Sequence, residues 1–377
     1  MTAYRYLISD ASTGSVKAEL PLADVTFSRV LSGCGAMTGT LSVWHPSCTR
    51  SILGFDTSDS DREVTVVRDD NPVWNGPVTG ISGTMAEGTV QIEAREASFY
   101  LQKRTLEVNK SYNGTDVFDA VRDLNTYMTT KTADGSDGMS LGANIIAALP
   151  RWSISPSAAT AGSTISDPTP PTFYGSARHL ISDCMEAFAA DPTTGFEWRM
   201  DYATGSTRQS VQRTLTLGYP NLGSVLTTQL SEAVVADYGR TGDWERGATR
   251  VHALYANGVK TKQSAAAAAA SILLSEVVED ISDVIKSGVA DSYATNLRRL
   301  ARPPVRSYTV AFTPSDNGLQ FDFANLGDTV PLAFGSPDIF AVSDTRRVIQ
   351  IDVTPASGDV PETVALTFNI RLDDLST

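Results

Sequence analysis

The chain has 377 residues, of which 41% are hydrophobic and 19% are charged. This length and apolar content predict a globular protein of two to four domains. The formal net charge is −13, whereas a protein that grips nucleic acid through its phosphates needs an excess of Lys and Arg, so sequence-specific nucleic-acid binding is not expected. No apolar run approaches the roughly 18 residues of a membrane-spanning helix, and no signal-peptide pattern opens the chain, so we expect a soluble protein made in a cytoplasm.

Residues 1–105 are predicted to form a β domain, a sandwich or a small barrel. Apolar and polar side chains alternate in "VTFSRV" (25–30), "TLSVW" (40–44) and "GTVQIEARE" (88–96). The segment 62–78 reads as two strands joined at "DDNP". Alternation with turn residues between the segments is typical of antiparallel sheet with one wet face.

The middle of the chain, 106–225, is predicted to be a mixed α/β domain. Thr115 is the expected N-cap of a first helix, and a second helix is predicted from Ser176. Strand-like segments follow at 196–202 and 212–223, the second of which ends in the turn sequence "GYPNLG". The first helix carries one apolar stripe at helical spacing: Val117, Val121, Leu124 and Met128.

Residues 226–302 are predicted to form a connecting region that ends in a helix. The apolar positions of 289–300 share one helical face, and Pro303–Pro304 stop the helix. The low-complexity segment "SAAAAAAS" (264–271) fits a helix or a loop, and the sequence leaves both open.

The last segment, 303–377, is predicted to be a second β domain. Its closing hairpin, 346–370, has the same layout as 76–96 in the first domain: a strand, a turn that contains Gly, and a strand. This indicates a weak structural repeat at the two ends of the chain. The predicted fold class is therefore mainly β with α+β insertions.

The glycines of "LSGCGAMTG" (31–39) resemble a phosphate-binding loop. Their spacing, G-x-G-x-x-x-G, is one residue longer than the dinucleotide-binding fingerprint G-x-G-x-x-G. That fingerprint requires a helix after the glycines, since the helix N-terminus holds the pyrophosphate. A strand follows instead. We therefore predict that Gly33, Gly35 and Gly39 lie at the tip of a β-hairpin that meets a neighbouring subunit.

Residues that could bind a metal or carry catalysis form no convincing site. His179, Asp183 and Glu186 have the spacing of one helix face, which we interpret as a solvated polar face. The nucleophile elbow G-x-S-x-G is missing from the sequence. The sequence therefore predicts no metal, no cofactor and no enzyme. We interpret the three cysteines as buried or half-buried thiols: Cys34, Cys48 and Cys184. We interpret the five tryptophans as core or interface residues: Trp44, Trp74, Trp152, Trp198 and Trp244.

An ordered set of segments that spans nearly the whole chain resembles the tail hub proteins of siphophages, the "minor tail proteins" of actinobacterial phages. Such proteins are similar to the baseplate hub of contractile-tailed phages. No single segment is specific to this family, and the resemblance depends on the order in which the segments follow one another along the chain. The segments are 25–46, 73–80, 90–104, 194–202, 215–223, 293–304 and 326–332.

The resemblance implies a non-enzymatic homotrimer at the virion tail tip, assembled in the cytoplasm of the host bacterium. Each subunit would supply two tube-like β modules, 1–105 and 303–377, so that three subunits match a hexameric tail tube. The peripheral parts, 106–225 and 226–302, would hold the distal tail protein and tip fibre proteins. The tail tube protein would be a neighbour, and DNA or the tape measure protein would pass through the channel. Because the chain stops after its last hairpin, no further domain is expected.

Three alternatives stay open at this point. A distal tail ring protein would be a hexamer rather than a trimer. A carbohydrate-active protein of the tail tip would be an enzyme, and a receptor-binding module would present aromatic side chains on exposed loops.

Overall fold

The computed structural model describes residues 3–11, 13–54, 62–84, 86–106, 110–112, 114–130, 152–156, 160–162, 179–190, 195–205, 211–243, 248–263, 275–281, 287–300, 305–314, 319–335, 341–358 and 360–369. Strands dominate this part of the chain, which confirms the predicted mainly β fold class. The Ala-rich segment 264–271 and Trp244 lie outside the described residues.

The helices are α1 Arg50–Leu53, α2 Val117–Thr130, α3 Ile181–Ala190 and α4 Ser287–Leu300, with a short 3-10 helix at Ala97–Gln102. The strands are β1 Tyr4–Asp10, β2 Val16–Leu20, β3 Ala23–Val30, β4 Ala36–Ser42, β5 Arg62–Arg68, β6 Asn71–Thr84, β7 Thr89–Arg95, β8 Thr105–Leu106, β9 Trp152–Ser155, β10 His179–Leu180, β11 Glu197–Thr204, β12 Val211–Gly218, β13 Leu230–Ser231, β14 Asp237–Asp243, β15 Arg250–Tyr255, β16 Gly258–Gln263, β17 Glu276–Ile281, β18 Val305–Phe312, β19 Thr329–Phe334, β20 Val342–Thr354 and β21 Thr363–Asn369.

Strands from both ends of the chain form one large sheet. Its order is β14-β18-β21-β20-β3-β4-β7-β6-β5-β1-β2, and β19 pairs with β20 beside this path. Strands β8 to β12 and β15 to β17 form three smaller sheets among the described residues. The predicted turn at "DDNP" is confirmed, because Asp69 and Asp70 join β5 to β6 with φ of 46° and 64°. Successive positive φ values match the twist of a tight hairpin, and Asp tolerates them better than most residues.

The large sheet contains the same five-stranded unit twice. In the first repeat, β3 to β7, the spatial order is β3-β4-β7-β6-β5, and every neighbouring pair is antiparallel. In the second repeat, β14 and β18 to β21, the order is β14-β18-β21-β20-β19, again antiparallel throughout. The strands take the same roles in the same chain order, which extends the repeat predicted from the closing hairpins.

The two repeats also agree in register. The β6–β7 ladder skips one residue of β6, Thr79, and the β20–β21 ladder skips one residue of β20, Ile349. Aligning the two bulges matches 80–84 of β6 with 350–354 of β20. Bulges add local twist and bend a strand, so both long strands bend at the same place.

Equivalent positions of the repeats are buried in the same way. Met37 and Leu41 of β4 face the core, as do Tyr308 and Phe312 of β18. All four belong to one hydrophobic core that contains residues from both ends of the chain. The ends are joined directly, because 27–30 of β3 pair antiparallel with 350–353 of β20.

The α/β region packs around a second core. Strands β9, β12 and β11 form its main sheet. Helix α2 supplies Val117, Val121 and Leu124 to this core, as predicted, and α3 supplies four apolar side chains of its own. The side chain of Met128 lies outside the described part of the structure. Two predictions for these helices need correction. Asp116, not Thr115, caps α2, since its carboxylate accepts from the Phe118 N–H at 2.9 Å and its carbonyl accepts from Ala120. α3 begins at Ile181, because His179 belongs to β10 and pairs with Leu106.

The region between β14 and β18, residues 244–304, is called the α4 region below, and its described residues have a small core of their own. Strands β16, β15 and β17 form a three-stranded sheet, and α4 packs on it through Ala294 and Leu297. The predicted helix over 289–300 is thus confirmed within α4. The predicted domain borders at 105/106, 225/226 and 302/303 stay predictions.

Candidate assembly site

The glycines singled out from the sequence lie in and beside the β3–β4 hairpin. Residues 31–35 join the two strands, and Gly33 and Gly35 lie in this loop. Gly39 lies inside β4, where it pairs with Ile92 of β7. The hairpin and the strand after it are confirmed. The placement of Gly39 at the hairpin tip is wrong, because β4 begins directly after Gly35.

Packing within this chain accounts for both loop glycines. A Cβ on Gly35 would lie 1.9 Å from the carbonyl oxygen of Ser28, and a Cβ on Gly33 would lie 2.7 Å from Cγ1 of Val30. The loop backbone therefore approaches its neighbours more closely than a side chain permits. Replacing these glycines would disturb the hairpin itself, whether or not the loop touches another subunit. The inter-subunit role of this loop stays a prediction.

The hairpin loop docks on the α/β region of the same chain. The Ser32 N–H donates to the Trp198 carbonyl at 2.8 Å, and the Trp198 N–H donates to Ser32 Oγ at 3.1 Å. Ser32 has a φ of 50°, which turns its backbone toward β11. The Gly35 N–H donates to Glu96 Oε2 at 3.0 Å, and the Glu96 N–H donates to the Gly35 carbonyl at 2.9 Å. The tip of the hairpin is therefore tied to β11 and to the segment after β7.

Glu96 is a buried carboxylate at the centre of this contact. It is 1% exposed and lies 3.8 Å from Arg29 Nε, while the Tyr202 hydroxyl donates to its Oε1 at 3.2 Å. Burial raises the pKa of Glu96 to about 7, although Arg29, the Gly35 N–H and Tyr202 oppose the shift. The effect of desolvation on the pKa of Glu96 therefore outweighs that of its favourable partners.

A second buried ion pair lies between β5 and β12. Arg213 and Glu63 are both fully buried and form a salt bridge through Arg213 Nη2 and Glu63 Oε2. Arg213 Nε also donates to Asn75 Oδ1 at 2.7 Å, and the Tyr100 hydroxyl donates to Glu63 Oε1 at 2.8 Å. A buried pair with these extra hydrogen bonds fixes orientation, whereas removing one partner would leave an uncompensated charge.

Strand β11 carries the contact between the α/β region and the large sheet. Trp198 and Met200 point into the α/β core, and the alternate residues Glu197, Arg199 and Asp201 form polar contacts on the other face. We name these three residues the β11 seam. The alternation follows from the two-residue period of a strand, which places successive side chains on opposite faces.

The seam reaches both repeats. Asp201 accepts from Arg29 of β3 at 3.2 Å. Arg199 Nη1 donates to the Leu326 carbonyl just before β19 at 2.8 Å, and Glu197 forms an ion pair with Arg347 of β20. Sequence reasoning missed this set, although the charged residues of "FEWRMDY" alternate visibly with apolar ones.

The three residues predicted to form one solvated helix face do not all lie on a helix. His179 lies in β10, whereas Asp183 and Glu186 lie in α3. Among the described residues, no group of three metal-binding side chains comes together. The three cysteines are free: Cys184 is buried, and Cys34 and Cys48 are half-buried, as predicted.

The described tryptophans do not line a common cleft. Trp74 and Trp198 are buried, and Trp152 donates its Nε1–H to Asn125 Oδ1 at 2.6 Å. Trp44 is 76% exposed in the turn after β4. The interpretation as core residues is therefore confirmed for Trp74 and Trp198. None of the described helices is long and apolar enough to cross a membrane.

No protein-family model matches the chain, and no curated protein sequence matches it. Among solved structures, the chain is similar to the 43 kDa tail protein of prophage MuSo2 from Shewanella oneidensis. The TM-score is 0.61 and the identity 9%, over 98% of this chain and 99% of that chain. It is also similar to the tail protein from Neisseria meningitidis MC58, with a TM-score of 0.57 and 11% identity, over 98% of this chain and 97% of that one.

Identities this low show the fold alone. Both similarities cover almost the full length of both chains, so they concern the whole arrangement of repeats and insertions rather than one module. The resemblance to phage tail proteins drawn from the sequence is confirmed at the level of the fold, and an actinobacterial origin stays a prediction. The chain has the fold of prophage tail proteins.

Proposed function

We propose that this chain is a structural protein of a phage tail, the trimeric hub that joins a hexameric tail tube to the tail tip. The observation that carries the proposal is the repeat of one five-stranded unit in a single chain, with the same strand order and the same bulge position. Three copies of such a chain present six equivalent units. A trimer can thereby match a sixfold ring without breaking its own symmetry.

The rest of the chain suits the periphery of such a hub. The α/β region and the α4 region have cores separate from that of the large sheet. The α/β region lies between the two repeats, and the α4 region lies between β14 and β18 of the second repeat. In the proposed assembly they hold the distal tail protein and the tip fibre proteins, while the repeats face the tail tube protein. The net charge of −13 suits a channel that DNA or the tape measure protein passes without adhering.

In this proposal the protein is not an enzyme and acts by assembly. Its buried ionic groups hold the α/β region against the sheet, and each is tied to a partner within the fold. Incubation with host cell-wall polysaccharide tests the carbohydrate-active alternative. Release of sugar by the wild-type protein, abolished in a heat-unfolded control, would overturn the proposal.

The stoichiometry tests the hub directly. Light scattering of the purified protein is expected to give the mass of three chains at all concentrations above the assembly threshold. A mass of six chains would favour the distal tail ring protein instead.

A further inference from the structure

The two long strands of the repeats differ on one side only. β20 has β21 on one side and, on the other, first β19 along 342–347 and then β3 along 350–353. β6 has β7 on one side and β5 along 71–77 on the other. Beyond 77, no described strand occupies the position that β3 takes beside β20.

Exposure follows this difference. Val353 of β20 is 2% exposed and Asp352 is half-buried. Their counterparts in β6, Gly83 and Ser82, are both exposed. The second half of β6 therefore has the conformation of a central strand and the exposure of an edge.

The strand that would fill this position is β14. It is the counterpart of β3, since β14 pairs with β18 as β3 pairs with β4. β3 continues on its other side to β20, whereas β14 ends the described order of the sheet. An edge strand of this kind is a template for pairing with another chain.

We propose that residues 240–243 of β14 pair antiparallel with residues 80–83 of β6 in a second copy of this chain, in the register that joins β3 to β20. The proposal rests on the proposed hub function, for which it supplies the contact between subunits. Each copy carries one edge of each kind, so the contact is head-to-tail and repeats around a closed ring. The sheet would then run unbroken through all six units of the trimer.

The junction within the chain fixes the register between chains. β3 and β20 pair Ser28 with Asp352. The Leu31 N–H donates to the Ile349 carbonyl at 2.9 Å, so 31/349 is a hydrogen-bonded pair and 28/352 is a non-hydrogen-bonded pair. The equivalent pair between copies joins Thr241 to Ser82. Non-hydrogen-bonded pairs bring Cα atoms to about 4.5 Å, within the range of a disulfide.

The local chemistry suits this pairing. The β6 segment 80–83 contains glycines at 80 and 83, so little side-chain bulk opposes a strand that approaches there. Ser82 and Thr241 are both small, polar and exposed, which keeps the edges soluble before assembly.

The double variant Ser82→Cys with Thr241→Cys tests the register. We expect a covalent three-chain product as the main band on a denaturing gel under mild oxidation, lost on reduction. The matched control is Ser82→Cys with Asp237→Cys, since Asp237 is exposed on the same face of β14 but lies about 13 Å further along the strand. This control should give at least about tenfold less product, because the thiols exceed disulfide reach.

Mixing the single variants Ser82→Cys and Thr241→Cys, each with a different tag, shows whether the disulfide joins two chains or forms within one chain. Two-chain products should carry both tags, and neither single variant alone should form them. Trimers by light scattering with no cross-linking above the control would overturn the strand pairing and leave the hub standing. Cross-linked rings of another size would contradict the trimer but support the pairing, and a chain that stays monomeric would contradict both.

Discussion

At the residue scale, Gly35 is the glycine of the β3–β4 hairpin at which an added Cβ would come closest to another atom. Its neighbour is the carbonyl of Ser28, which cannot rotate away as a flexible side chain would. A methyl group there requires the hairpin to shift, and the Gly35 hydrogen bonds to Glu96 would weaken with it.

Gly35→Ala is therefore expected to reduce the free energy of unfolding by about 1–3 kcal/mol, the range of an overpacked site. Gly239→Ala is the matched control, because a Cβ on Gly239, also in a β-strand, meets no atom closer than 3.9 Å. It should change stability by less than about 0.5 kcal/mol. Urea unfolding measures both, and equal effects of the two variants would contradict the close approach.

The buried carboxyl of Glu96 makes stability depend on pH. Its pKa is about 7 in the fold against 4.5 for the unfolded group, so the folded state binds more protons between these values. Stability from this group therefore rises as pH falls from about 7 to 4.5, by about 3 kcal/mol in all, and is constant outside this window.

Glu96→Gln removes this contribution. The stability of the variant relative to wild type is expected to fall by about 3 kcal/mol as pH is lowered from 8 to 4.5. Unfolding curves at a series of pH values measure the difference. A difference that stays constant across the window would mean that Glu96 is charged in the fold.

The N-cap of α2 shows how far a sequence predicts the role of a single residue. The first helix was placed correctly, but Thr115 and Asp116 are adjacent and both cap well, so composition cannot choose between them. The structure selects Asp116, whose carboxylate also accepts from the N–H groups of Ala161 and Gly162. Such partners are distant in sequence and leave no local pattern.

At the element scale, the two repeats differ most between their first and second strands. In the first repeat, residues 31–35 join β3 to β4, and in the second the whole α4 region, 244–304, joins β14 to β18. Asp243 and Val305 are nevertheless paired directly across the ladder. The α4 region is thus inserted at the end of a hairpin that is complete without it.

Replacing residues 244–304 with Asn-Gly should leave the large sheet folded, since two residues of this type close a hairpin between paired positions. Circular dichroism should retain a cooperative melt, with a midpoint within about 5 °C of the full chain, because the deleted segment has its own core. Loss of cooperative melting would show that the sheet depends on the α4 region.

Periodicity predicted most strands and both closing hairpins, because alternation is a local property of the sequence. It could not predict that β3 pairs with β20, since these strands are more than 300 residues apart and their alternation fits many partners. The β11 seam was missed for the same reason. Its charged residues look solvated in the sequence, and only the fold brings Arg29 and Arg347 to them.

At the scale of the whole molecule, the account rests on two repeats joined in one sheet within a chain whose fold matches prophage tail proteins over their full length. The intramolecular junction between β3 and β20 provides the pattern for the proposed junction between copies. In the proposed trimer, equivalence of the two junctions would give the inner ring nearly sixfold symmetry, whereas the α/β and α4 regions would have only threefold symmetry.

An image of the assembly down its axis, obtained by electron microscopy of the purified protein, tests this claim most directly. The account predicts a closed ring with threefold symmetry outside and six similar β units inside, two from each chain. A ring of six chains with twelve units, or separate single chains with no ring, would contradict it.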